Sequence, residues 1–140
     1  MKQLKIITCF IIFVTHTSFA QNADDILGTY LLPNNFEVEI FKNNGKYFGE
    51  IVSLDNYNSG ETKDVRNPDK TKRSDSLLGK VIVKDLKYDS ENKEWINGGL
   101  YGPEKGINIH LRSTEAKKTE IVVVGSKLIF PYTMVWKKLF

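Results

Sequence analysis

The chain reads as an all-β protein: an antiparallel up-and-down barrel of about eight strands. Three observations lead there. Apolar and polar side chains alternate with period two along much of the chain after residue 26, while helical periodicity is weak almost everywhere. Short polar turns separate the apolar runs. One of them, Asn43-Asn44-Gly45, ends in the Asn-Gly step that tolerates the positive φ of a tight hairpin. An open sandwich of the same strands is the structural alternative.

The elements follow in order. Leu27 to Leu32 is a first strand, stopped by Pro33-Asn34-Asn35. Phe36, Val38 and Ile40 alternate with Glu37 and Glu39 in a half-buried second strand. Lys46 to Leu54 is the third, Lys80 to Tyr88 the fourth, and Glu94 to Tyr101 the fifth. Gly98-Gly99 within the fifth predicts a bulge or sharp bend. Gly102-Pro103-Glu104-Lys105-Gly106 is a tight loop before a sixth strand, in which Ile107, Ile109 and Leu111 alternate with Asn108, His110 and Arg112. Glu115 to Lys118 turns into Ile121-Val122-Val123-Val124, the seventh. Gly125 to Phe130 reads as a short helical or irregular connection before Pro131, and Tyr132 to Leu139 as the last strand.

The first twenty residues read as an address. A basic head, Met1 to Lys5, precedes an apolar run from Ile6 to Val14, and small residues stand at Ser18 and Ala20. This is the order of a secretory signal peptide, with cleavage expected after Ala20 and a periplasmic or secreted destination. The run is shorter than the ~20 residues of a membrane-spanning helix, and no later stretch approaches that length. Cys9 sits inside the run, followed by large apolar residues, so it is read as filler and not as a lipid attachment site.

Composition then excludes several chemistries. Of 140 residues, 41% are hydrophobic and 26% charged, a globular balance for one domain, 21–140. Cleavage would leave 18 basic residues against 17 acids, no Cys, and His110 as the one imidazole. A thiol nucleophile and a multi-His metal site are thereby excluded, and the small net charge disfavours nucleic acid. No phosphate-binding glycine loop, nucleophile elbow or His-Glu-x-x-His motif is present. No cofactor is expected, and no catalysis.

One segment breaks the rhythm. Asp55 to Leu78 runs 24 residues with little apolar content, its cations Lys63, Arg66, Lys70, Lys72 and Arg73 intermingled with acids. Loops of this length in a compact domain are functional or disordered. Asp55 to Glu61 has alternating oxygen ligands, but Tyr57 stands at the third position of a would-be calcium loop, so an ordinary polar turn is the reading preferred. His110 belongs on the polar face of its strand. Glu37 and Glu39 belong on a water-facing side, not across a cleft. Tyr30, Tyr47, Trp95, Tyr101 and Trp136 either line the barrel interior or fill it.

Several segments together resemble a known family. They are Ile26-Leu27-Gly28-Thr29-Tyr30, Tyr47-Phe48-Gly49-Glu50-Ile51-Val52, and Asp64-Val65-Arg66-Asn67-Pro68-Asp69 with Arg73 and Leu77-Leu78-Gly79. To these add Trp95 to Pro103 with Gly106, and Val135-Trp136-Lys137. They resemble the DUF2147 family of bacterial exported proteins, over nearly the whole chain after residue 20. The resemblance implies a small, exported, calycin-like barrel of unestablished function. The chain departs from the family's usual residues at Tyr30, Glu50 and Gly102. Calycins also pair a Gly-x-Trp on the first strand with a basic residue on the last, and Gly28-Thr29-Tyr30 with Trp136-Lys137-Lys138 resembles that closure.

The functional expectation is a barrel that binds a small, partly apolar molecule in its interior or at its mouth, with Tyr47, Asp64, Asn67, Asp69, Arg73, Trp95 and Tyr101 as candidate ligand contacts. Arg73 is expected to fork onto Asp64 or Asp69 and pin the loop, or else to touch the ligand. The alternative is a solid barrel acting as an envelope interaction module, through the 55–78 loop, on a protein or polymer.

Overall fold

A computed structural model describes residues 20–140; the expected signal peptide, apart from Ala20, lies outside the described residues. Eight antiparallel strands close into a barrel in chain order. They are β1 (Gly28–Leu31), β2 (Glu37–Asn43), β3 (Lys46–Ser53), β4 (Val81–Asp89), β5 (Glu94–Gly102), β6 (Ile107–Ala116), β7 (Glu120–Lys127) and β8 (Phe130–Lys138). A 3-10 turn, Ala23–Ile26, precedes β1, and a second, Lys70–Lys72, lies in the long β3–β4 loop. Among the described residues, no helix is long and apolar enough to cross a membrane.

Alternation builds the core. Val38 and Ile40, Tyr47 and Ile51, Ile121 and Val123 turn inward and are buried. Glu39 between its apolar neighbours is exposed, as is His110 on β6. The Asn-Gly hairpin forms as the sequence predicts: Asn43 pairs with Lys46, and Asn44 and Gly45 carry φ of 49° and 76°. The irregularity expected near Gly98 is a bulge between Trp95 and Gly98, with Asn97 at φ 61°.

The connection expected at Gly125–Phe130 is neither helical nor irregular. β7 continues to Lys127, and Ser126 pairs with Pro131 and Lys127 with Phe130 around a two-residue turn at Leu128-Ile129. Pro131 does not break β8 because this part of the strand has a registered strand neighbour on the β7 side alone, where a missing N–H is tolerated. On the other side β8 registers with β1 only at Tyr30–Lys138 and Leu31–Lys137. The barrel is thus closed at one end of this seam and parted at the other.

An up-and-down meander gathers alternate connections at opposite ends. The Leu32–Phe36 connection, the long β3–β4 loop, the Pro103–Gly106 turn and the β7–β8 turn share one end, here the mouth. The other end holds the 3-10 turn Ala23–Ile26 and the C-terminus.

Candidate functional site

The end opposite the mouth is plugged. Three large aromatics spend their polar tips on the 3-10 turn: the Tyr30 hydroxyl donates to the Ile26 carbonyl (2.8 Å), the Tyr47 hydroxyl to Asp24 Oδ1 (2.6 Å), and Trp95 Nε1 to the Ala23 carbonyl (2.9 Å). Lys42 pairs with the same Asp24 oxygen at 2.8 Å. Gln21 is held too, donating to the Lys93 and Thr114 carbonyls and accepting from the Tyr88 hydroxyl and the Ala116 amide. Burial, reinforced by the Asp24 carboxylate, pushes the Tyr47 phenol up to about 12. Hydrogen bonds from Lys42 and Tyr47 hold the Asp24 carboxyl below its ordinary value. Lys138 Nζ stands 5.6 Å from the centre of the Tyr30 ring, the closure that the first and last strands suggest. Gly28 makes this approach possible: at φ 142° a Cβ would lie 2.6 Å from the Lys138 side chain.

The mouth is different. A cavity of about 300 Å³ opens there. Its apolar wall comes from Phe36, Ile82, Leu100, Met134 and Trp136, and Asn34, Asn58 and Glu104 stand at its polar rim. Phe36 stacks on Tyr57 of the long loop, ring centres 4.2 Å apart, so Tyr57 is a buried anchor and not a ligand position of a calcium loop. Trp136 is 1% exposed, and its Nε1 has no hydrogen-bond partner among the described residues. Buried indole N–H groups ordinarily find an acceptor.

The long loop folds against the outer wall below this rim. Leu100 pairs with Val83 and Ile109 and turns inward, so Tyr101 lies on the outer face beside Asn108. The loop covers it. Asp64, whose side chain is fully buried, accepts from the Tyr101 hydroxyl at Oδ1 (2.7 Å) and from Asn67 Nδ2 at Oδ2 (2.7 Å), and Lys80 Nζ lies 3.1 Å from Oδ2. Burial on its own raises the Asp64 carboxyl; the bonds from Tyr101, Asn67 and Lys80 outweigh it and leave the group below its ordinary value. Burial and the facing carboxylate push the Tyr101 phenol up. Asp69 caps the turn Lys70–Lys72 by accepting from the Thr71 amide (3.0 Å) and hydroxyl (2.6 Å). At Gly106, φ 62°, the Arg66 carbonyl lies where a Cβ would stand, 1.9 Å from it, so the loop docks directly on the β5–β6 turn.

Of the seven candidate contacts, the structure brings Asp64, Asn67 and Tyr101 into one buried cluster, with Asp69 and Arg73 organising the loop around it. Arg73 does not fork onto a carboxylate. Its Nε donates to the Asn67 carbonyl at 2.8 Å, and Lys80 takes the place beside Asp64. Tyr47 and Trp95 lie at the plugged end, away from the mouth, with their polar tips already bonded. Sequence reasoning missed Lys80, Phe36 and Tyr57. Lys80 directly follows Leu77-Leu78-Gly79, and that adjacency was the one available signal. The five aromatics divide: Tyr30, Tyr47 and Trp95 fill the barrel, Trp136 lines the cavity, and the Tyr101 side chain lies on the outer wall under the long loop.

An eight-stranded meander closed on itself, plugged at one end and cupped at the other, defines a lipocalin-like barrel. The chain belongs to the family described as "Uncharacterized protein conserved in bacteria (DUF2147)", which matches residues 28–138. No curated protein matches it. Among solved structures it is similar to protein HP1028 from the human pathogen Helicobacter pylori, whose description places that protein in the lipocalin family. The two share 23% identity with a TM-score of 0.71, over 81% of this chain and 82% of the other. At that identity the likeness establishes the fold.

Proposed function

We propose that this protein is an exported, non-catalytic carrier that holds a small, partly apolar molecule in the cavity at the barrel mouth. The observation that carries this reading is the cavity itself, an apolar wall of Phe36, Ile82, Leu100, Met134 and Trp136 under a polar rim at the open end of a closed barrel. The ligand class that fits has an apolar body, lying against Phe36, Ile82, Leu100 and Met134, and a polar end at the rim beside Asn34, Asn58 and Glu104. Apolar burial supplies affinity at ~25 cal/mol per Å², and the polar rim supplies orientation. The volume is near the lower end of small-molecule sites, so a compact ligand or one end of a longer one is favoured. The long loop gives the alternative reading, an interaction module, less support: its best-placed polar groups are spent on one another and on Tyr101.

Anilinonaphthalene sulfonate, an aromatic body with one anionic acceptor, is a suitable probe. Titration should show one saturable site whose fluorescence gain is lost in Met134→Trp, which fills the cavity, at unchanged melting temperature. Undiminished binding in the filled variant would sink the reading. Native mass spectrometry of protein purified from its own host then identifies the natural occupant by mass.

A further inference from the structure

The turn between β7 and β8 breaks a local rule without any gain inside the folded chain. Leu128 is 84% exposed, Ile129 82% and Phe130 70%. These are three consecutive large apolar residues at the apex of a hairpin. Leu128 also adopts φ 59°, the left-handed region that suits Gly or Asn and is unfavourable for leucine. An Asn there would relax the backbone and remove exposed apolar surface together. Keeping leucine costs the monomer on both counts, so the side chain answers to something outside it.

We infer that this tip inserts into the surface of a phospholipid bilayer bearing anionic headgroups and sets the barrel mouth against it. Four features select a bilayer over a second copy of the chain. The apex offers on the order of 500 Å² of side chain, against roughly 800 Å² per partner in a standard interface. A bilayer needs no shape complement, and an apex is the form that penetrates it. Lys127 flanks the apolar tip and pairs across the hairpin with Phe130, which places an exposed cation at headgroup depth when the tip is buried. Tyr132, 46% exposed, follows two positions further along β8, and tyrosine favours that same interface.

The tip is also continuous with the cavity. Met134 and Trp136 of β8 line it, and the seam between β8 and β1 is parted on that side. Docking by the tip therefore turns the cavity opening toward the apolar phase, a position from which an apolar molecule passes between bilayer and barrel without crossing water. The docking itself does not rest on the cavity being a carrier site and fails or stands separately from it.

The test is vesicle flotation of the chain from Gln21 onward, which holds every strand and the whole described core. The vesicles are phosphatidylcholine, alone or mixed with phosphatidylglycerol. The expected result is co-flotation, stronger with the anionic lipid, and a partition coefficient reduced at least about tenfold in L128N/I129S/F130T. Leu128→Asn alone should weaken flotation while keeping or raising the melting temperature, so loss of binding is not loss of fold. K127E should abolish the preference for the anionic mixture. Equal flotation of wild type and triple variant, or no flotation of wild type, overturns the inference. So does a concentration-dependent dimer in sedimentation velocity that the triple variant loses, since the tip would then belong to a second copy. The naphthalene sulfonate titration reads the cavity independently in every variant.

Discussion

The Tyr101 hydroxyl donates to the Asp64 carboxylate at 2.7 Å, and this bond ties the outer wall of β5 to a loop of more than twenty residues. Lys80, at the threshold of β4, neutralises the same carboxylate from the loop's far end at 3.1 Å. One acid thus fixes both the middle and the exit of the loop. That is why a segment with little apolar content keeps one conformation beside the cavity rim.

Removing either partner should cost unequally. Asp64→Ala leaves the half-buried Lys80 ammonium with only the exposed Asp75 carboxylate, 3.9 Å away, and the Tyr101 hydroxyl without its acceptor. Urea unfolding should show a loss of about 3 kcal/mol. Tyr101→Phe keeps the ion pair and should lose about 1.5 kcal/mol. Equal losses would mean that the ion pair contributes nothing beyond the hydroxyl bond.

The acid limb of stability should carry the same signature. The folded Asp64 carboxyl titrates below its ordinary value. Its contribution is therefore fully present above the unfolded carboxylate range, near pH 4, and fades only as pH falls through the lower folded value. Hydrogen exchange in residues 62–79 should stay protected from pH 7 to about 5 and rise below that. Asp64→Asn should flatten this limb. A loop that loosens between pH 7 and 6 would point to a different titrating group.

The two tryptophans offer a matched comparison. Trp95 Nε1 donates to the Ala23 carbonyl, whereas Trp136 Nε1 has no partner among the described residues. Thermal or urea unfolding should show Trp95→Phe more destabilising than Trp136→Phe by about 1 kcal/mol, although both side chains are equally buried. The reverse order would mean that the bond from Trp95 to Ala23 contributes nothing.

Gly106→Ala tests the docking of the loop on the β5–β6 turn. A methyl group there meets the Arg66 carbonyl and sits on a left-handed backbone. The expected cost is about 2 kcal/mol or more, with increased exchange confined to residues near 66 and 106. A neutral substitution would show that the loop rests there without load.

The strands were legible in the sequence because each one's apolar residues keep a two-residue period, as Val38 and Ile40 do around Glu39. The Asn44-Gly45 turn and the bulge ahead of Gly98 were legible for a related reason: glycine and asparagine mark backbone that other residues avoid. Pro131 misled in the same vocabulary. Proline forbids a central strand position but not one with an open side, and which strands are open is not written locally. The candidate site was half legible. Asp64, Asn67 and Tyr101 were named by motif, but their partner Lys80 was not, and neither was the separation of Tyr47 and Trp95 to the plugged end.

By itself, then, the amino-acid order determined an all-β chain of eight strands and which faces are dry. Those properties are local, set by side-chain period, turn residues and composition. Tertiary structure alone decided which end is plugged, that three aromatic tips are consumed there, and that Trp136 lines a cavity at the other end. These depend on which residues distant in sequence meet when the sheet curls shut. Closure brings Ala23 to Trp95 and Phe36 to Tyr57, and no period along the chain encodes the distance between them.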